Sequence, residues 1–470
     1  MITKLEITGF KSFDRFKVDL APFVVVAGVN GAGKSNLFDA IQLLSRLAEN
    51  DIRTAFSGQR GEAYELFAQN TDGSHATSMQ FAVEMLVDRK VRDTWGGKAE
   101  LKYTRLRYEL IIERRPDQYG IERLFVLKEE LAAIKRSDDE WYKRYVGTDN
   151  FYWFEHVVEE RPLFIHFIES IETKENRIYL PKEDGRGDRL SLTVDMESTM
   201  LSGVTNTEFP HALAVREEMR NWHFLQLNPV ELSKPALKFT AKEIMGSDGS
   251  GMAAALFRIK TEDPIAMQDI AREMASLIPG IKSLDVAEDE VERKYVVKIQ
   301  TEDGRSFSSL VLSEGTLRLL ALMTLKYDEK HRGVLCFEEP ENGVNPMRIA
   351  QVIRLLRDLS TDFEREQDAP FPARQVLVNT HSPVLVGEVF KMKEIEKWGV
   401  VLFARLSTRV GNKQRVQHTL ISPVTFSSQT RMLWKGEEMS EGEIQFNKME
   451  LMRYLETANF GETLAQLNEP

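Results

Sequence analysis

The string Gly28-Val29-Asn30-Gly31-Ala32-Gly33-Lys34-Ser35 follows directly on the apolar run Phe23-Val24-Val25-Val26-Ala27, and Leu37, Ala40, Ile41 and Leu44 come after it at helical spacing. No other feature of the chain restricts its fold so strongly. A short, wholly apolar run suits a strand buried on both faces, as in a parallel sheet covered by helices. The string matches G-x-x-x-x-G-K-[ST] in full. Glycines let backbone N–H groups curl around phosphate without Cβ clashes, and the N-terminus of the next helix adds positive potential. Lys34 is then placed to reach the β- and γ-phosphates of a nucleotide, and Ser35 to ligate Mg2+.

The second half of the chain alternates strand and helix, which argues for a mostly parallel sheet with helices packed on it. The pattern predicts a hairpin from Val296–Ile299 to Leu310–Leu312, a helix over Thr316–Tyr327, a strand over Gly333–Phe337, a helix over Pro346–Leu359 and a strand over Gln375–Asn379. Val334-Leu335-Cys336-Phe337 ends in two carboxylates, Glu338 and Glu339. A parallel strand delivers its C-terminal residues to the crevice where ligands bind, so Glu338 is placed to hold Mg2+ through water and Glu339 to polarise an attacking water. Two acids after a strand are more often plain solvated surface; the phosphate-binding loop in the same chain reverses that weighing. Ser313 reads as a helix N-cap with Glu314 favouring the first-turn dipole. The alternative is a second phosphate-facing helix start offered to a neighbouring subunit's nucleotide. His381, after the next strand, falls where it could hydrogen-bond a γ-phosphate.

The 470 residues carry 62 basic and 73 acidic side chains, 62 − 73 = −11, so any contact with nucleic acid must use a local patch and not the overall charge. Two patches are candidates: the dense but acid-interleaved stretch Arg89–Arg144, and Arg405, Arg409, Lys413 and Arg415. One cysteine, Cys336, excludes a disulfide framework and fits a reducing, cytoplasmic setting. No apolar run approaches the ~18 residues of a membrane helix.

The phosphate-binding loop, Leu312–Arg318, the acidic strand and Thr380-His381-Ser382-Pro383, in that order, resemble the ABC-type ATPase head of the RecF, SMC and Rad50 class. More narrowly they are similar to the stand-alone AAA-family, OLD-like ATPase subunits of bacterial anti-phage systems of the Septu and PARIS kind. Leu5-x-Ile7-x-x-Phe10-Lys11-Ser12-Phe13, Asn30 within the glycine loop and Glu338-Glu339-Pro340-Glu341-Asn342-Gly343 carry the same likeness. The resemblance implies an α/β P-loop head, with a mixed-sheet N-terminal lobe (1–130), a mainly helical insertion (131–235), a C-terminal lobe with a mostly parallel sheet (236–420) and an extension of no known likeness (421–470).

It further implies ATP and Mg2+ as cofactors. Gly28, Asn30, Gly31, Gly33, Lys34, Ser35 and Asn36 would bind the nucleotide, and Ser35 and Glu338 the metal. Glu339, His381 and Lys34 would be catalytic, and Ser313 and Gly315 would act in trans across a homodimer or larger homo-oligomer, with Glu341–Pro346 as the D-loop. Departures are Glu338 where aspartate is usual, Glu314 and Thr316 in the signature, and Asn345 where the narrower group often has histidine. Long coiled-coil arms and a nuclease-like acidic cluster are missing. The expected function is therefore a slow ATPase switch that regulates a separate effector protein, a nuclease or toxin. The alternative is a RecF-like ATP-dependent DNA-binding repair protein, for which DNA is the partner. A plain metabolic P-loop enzyme has no use for a trans-facing serine.

Overall fold

The computed structural model describes residues 1–147, 166–171, 177–182, 190–193, 196–239, 244–364, 373–392, 394–410, 415–424 and 441–456. Its centre is a six-stranded sheet in the order His223–Leu225, Gly333–Glu338, Arg374–Thr380, Phe23–Ala27, Gly399–Val410, Arg415–Pro423. The first five strands run parallel and the last is antiparallel. Side chains alternate between the faces of a strand, and the cores divide accordingly. Val24, Val26, Val334, Cys336 and Leu377 belong to one apolar cluster, shared with Leu37, Ile41 and Leu44 of the helix Lys34–Leu47. Phe23, Val25, Leu335, Phe337, Val376 and Val378 belong to the other, with Leu319 and Leu322 of the helix Glu314–Tyr327 and Val352 and Leu356 of the helix Ile349–Leu359. A strand apolar at every position is thus explained by a sheet covered twice.

The first cluster is closed on its far side by an eight-stranded sheet in the order Leu190–Thr193, Arg177–Leu180, His166–Ile171, Glu122–Ala133, Arg105–Pro116, Ser78–Leu86, Ile2–Thr8, Phe16–Asp19. Its pairs are antiparallel, and Leu5, Ile7, Phe81, Leu106 and Leu110 supply its inner face. The α/β class and the mostly parallel second sheet are as expected, but the N-terminal sheet is antiparallel throughout, not mixed.

Several details differ. The 130/131 boundary falls inside the strand Glu122–Ala133, and the 420/421 boundary inside Arg415–Pro423. Among the described residues the 131–235 stretch is mixed, not mainly helical. It adds His166–Ile171, Arg177–Leu180 and Leu190–Thr193 to the large sheet, beside the helices Glu140–Tyr145 and Pro210–Arg220. The edge of Glu122–Ala133 was open to pairing, and short strands of mixed composition filled it. The hairpin partner of Lys294–Thr301 is Ser306–Ser308, while Ser309–Val311 is a 3-10 turn whose Leu310 and Val311 are exposed. The stretch 346–359 is a 3-10 turn, Pro346–Arg348, followed by the helix Ile349–Leu359. Asp184–Asp188, Lys413 and Trp434–Glu438 lie outside the described residues. Among those described, no helix is long and apolar enough to cross a membrane.

Gln375 stitches the two sheets together. Fully buried, it donates from Nε2 to Ile2 O (2.6 Å) and Ala21 O (2.8 Å), and its Oε1 accepts from Ile2 N (2.8 Å). Gln375→Leu keeps the volume but removes a partner from three buried backbone groups, at about 1–3 kcal/mol for each left unsatisfied. We expect the thermal unfolding midpoint to fall by several degrees; an unchanged midpoint would show that the amide is not the tether.

Candidate nucleotide site

Parallel register decides which side chains meet. Glu338 is opposite Asn379, and Asn379 is opposite Val26, so Glu338 and Asn379 emerge at the C-terminal ends of adjacent strands, on the face covered by Lys34–Leu47. The glycine loop crosses the same end. Gly33 caps this helix in the left-handed region (φ 86°), and a Cβ there would overlap Thr419 Oγ1. Thr419 is held by Ser12 Oγ (2.6 Å), which accepts from Asn36 Nδ2 (2.7 Å), so the Asn36 amide braces the loop from behind. Asn30 and Gly31 form the exposed crest, and a Cβ on Gly31 would meet nothing within 4 Å. Phosphate has open access there.

Lys34 is buried, with Nζ donating to Gly28 O (2.8 Å) and Val29 O (3.0 Å). Burial lowers its pKa, while the charges of Glu339 and Glu341 pull the other way. Ser35 Oγ lies 3.5 Å from Asn379 Nδ2. Burial raises the pKa of Glu338 against the opposing charge of Arg60, 3.9 Å away, with Asp39 and Glu339 adding to the rise. Asp39, one turn along the helix from Ser35, takes Lys11 (2.7 Å) and Arg60 (2.9 Å).

Glu339 adopts a positive φ of 49°, uncommon for a residue with a side chain. Its N–H donates to Asn379 O (2.8 Å), and its carboxylate meets His381 Nδ1 (2.7 Å) and Asn342 Nδ2 (2.7 Å). Strain of this kind persists where the surroundings over-determine the backbone, and it clusters at functional sites. Glu341 is buried, accepts from Thr380 Oγ1, and has its pKa raised by burial. Ser313 and Gly315 are elsewhere. Ser313 Oγ caps the helix Glu314–Tyr327 by accepting from Thr316 N (3.3 Å), as its sequence position suggests. A Cβ on Gly315 would lie 3.2 Å from Gly343 O, and Gly343 (φ 71°) leaves no room for a Cβ beneath the Glu314 carboxyl. The structure therefore gathers Lys34, Ser35, Glu338, Glu339 and His381 into one site and sets the serine-glycine turn against the Glu341–Pro346 turn.

Sequence reasoning gave no role to Asp39, Arg60, Asn379 or Thr419. Asn379 alone left a signal, as a polar side chain directly after the apolar run Val376–Val378. Part of the first basic patch is paired with acids: Arg107 with Glu6, Glu84 and Glu109, Lys128 with Glu109 and Glu130, and Arg123 with Asp117 and Glu197; in the second patch Arg409 pairs with Asp14. The oxygen donors of Ser35 and Glu338, beside the buried and unpartnered Oδ1 of Asn379, suit a hard divalent cation that keeps several waters.

A glycine loop between a buried parallel strand and a helix, facing paired carboxylates across the sheet end, defines a P-loop nucleotide-binding domain. The family described as "AAA domain, putative AbiEii toxin, Type IV TA system" matches residues 23–387, and the chain belongs to it. A stretch of 45 residues is 51% identical to the DNA replication and repair protein RecF of Mesorhizobium japonicum, covering 9% of this chain and 12% of that protein. Among solved structures, an SMC head bound to the C-terminal winged-helix domain of ScpA is similar with a TM-score of 0.46 and 15% identity, over 90% of this chain and 98% of that one. The SMC head domain from Thermotoga maritima gives a TM-score of 0.37 and 12% identity, over 90% and 99%.

Gly33→Ala places a Cβ in the left-handed region, at about 1–2 kcal/mol, and drives it into Thr419. Affinity for a fluorescent ATP analogue should fall more than tenfold. Adding Thr419→Ala should restore only part of it, since the backbone strain remains; full restoration would mean that the Thr419 contact alone matters.

Proposed function

We propose that the chain binds ATP with Mg2+, hydrolyses it slowly, and dimerises around the nucleotide to act as a switch on a separate effector protein. The observation that carries this reading is the Glu339 carboxylate, oriented on two sides by His381 and Asn342 and close enough to Lys34 for their charges to interact. Lys34 would leave the Gly28 and Val29 carbonyls for the β- and γ-phosphates. Ser35 Oγ and Glu338 would hold the metal, which when bound neutralises charge building on the phosphates. Glu339 would orient the attacking water and accept its proton, and His381, with Nδ1 engaged by Glu339, has Nε2 left for the γ-phosphate. Ser313 and Gly315 would serve a partner's nucleotide. Their support on the Glu341–Pro346 turn would then tie the trans contact to the cis acids.

The family description names a toxin and a toxin–antitoxin system, which supports an effector-linked defence role. The match to RecF favours a second reading, an ATP-dependent DNA-binding repair protein. The overall charge of −11 and the pairing of Arg107, Arg123, Lys128 and Arg409 with acids weigh against it, because neutralised side chains release few counterions from DNA.

Glu339→Gln should bind ATP, lose at least about 100-fold in turnover, and form a dimer in Mg-ATP detectable by light scattering. A variant that stays monomeric overturns the sandwich. The same protein should show no salt-sensitive binding to duplex DNA by fluorescence anisotropy; tight, ATP-dependent binding would move the assignment to the repair reading. Purification from the native host should bring down a stoichiometric partner protein, and its absence would count against the effector.

A further inference from the structure

Resting on that reading of the nucleotide site, the geometry points to Asn379 as a positioning residue for the cation, one that orients Ser35 by accepting its hydroxyl proton. Asn379 is buried, at 5% exposure. Its Nδ2 lies 3.5 Å from Ser35 Oγ, a long contact, and its Oδ1 is buried with no hydrogen-bond partner. A buried amide oxygen without a donor costs about 1–3 kcal/mol, and a group left in that state calls for a specific explanation.

The chemistry of Ser35 supplies one. A serine hydroxyl has one proton and two lone pairs. When a lone pair goes to a cation, the proton must point away from it, towards an acceptor. Glu338, the nearby acid, faces Arg60 at 3.9 Å, in a cluster with Asp39. Asn379 stands beside Glu338 in the parallel register and already faces Ser35. Half a turn of its amide exchanges Nδ2 for Oδ1, which gives the Ser35 proton its acceptor and Oδ1 its donor in one movement. The main-chain oxygen of the same residue accepts from Glu339 N (2.8 Å), so Asn379 bridges the metal-binding serine and the water-orienting glutamate. The backbone contact survives any substitution, which isolates the amide for testing.

The test measures affinity for a fluorescent ATP analogue in the full-length chain, with Mg2+ and with EDTA, for the wild type, Asn379→Leu, Asn379→Asp and Lys34→Ala. Removing an outer-shell partner of a metal ligand typically costs 10- to 100-fold in metal-dependent affinity. Asn379→Leu should keep the metal-free affinity within about twofold and lose about tenfold of the Mg2+ enhancement. Asn379→Asp, which keeps an acceptor, should restore the enhancement. Lys34→Ala should weaken binding with and without metal. Two results overturn the assignment of Asn379 while leaving the nucleotide site standing: an Asn379→Leu protein with the wild-type Mg2+ enhancement, or one whose metal-free affinity collapses and is not rescued by Asp. A wild type whose ATP binding ignores Mg2+ removes the cation site itself, and this inference with it.

Discussion

Parallel pairing of Phe23–Ala27 with Arg374–Thr380, and of Arg374–Thr380 with Gly333–Glu338, is the constraint on which the rest depends. Parallel strands end at one edge, so the glycine loop, the Glu338–Glu339 pair and the Asn379–His381 segment are delivered together although they come from distant parts of the chain. Antiparallel pairing at either junction would have sent one of them to the opposite side. The surrounding layers serve that edge. The helix Lys34–Leu47 covers one face, and the helices Glu314–Tyr327 and Ile349–Leu359 cover the other.

Opposing charges at the edge counter only part of the cost of burial. Burial lowers the pKa of Lys34, and the nearby charges of Glu339 and Glu341 offset part of that. Arg60 likewise offsets part of the rise that burial gives Glu338. Burial raises the carboxyl pKa values of both Glu338 and Glu341, so this corner of the fold gives up charge more readily than surface carboxylates do. A polyanion that engaged Lys34 would leave the acids less compensated, and a divalent cation is the natural counterweight.

Phe23–Ala27, Gly333–Glu338 and Arg374–Thr380 of the central sheet were legible in the sequence because each carries an apolar run, the first two leading into glycines or acids with steric or charge reasons to be there; His223–Leu225, Gly399–Val410 and Arg415–Pro423 were not. Ser313 was legible as a cap because capping needs only local chemistry. The extension of the large sheet was not: His166–Ile171 and Arg177–Leu180 are strands because a partner edge exists, not because their own composition demands it. Leu310–Leu312 misled by being apolar while the chain was turning. At the site, the glycine loop and the acid pair could be read from spacing. Thr419 over Gly33, Arg60 beside Glu338 and Asn379 beside Ser35 depend on contacts between residues hundreds of positions apart, which no local pattern encodes.

The position of Phe23–Ala27 between Arg374–Thr380 and Gly399–Val410 has a consequence for how the chain comes into being. Both neighbours of this early strand are made about 350 residues after it. At roughly 5–20 residues per second of synthesis, an apolar segment with two unpaired edges waits tens of seconds for its sheet. The N-terminal hairpin of Ile2–Thr8 and Phe16–Asp19 can form at once, but the phosphate-binding loop cannot close until the last third of the protein has left the ribosome. Nascent chains should therefore depend on a holding chaperone and acquire nucleotide affinity late and all at once.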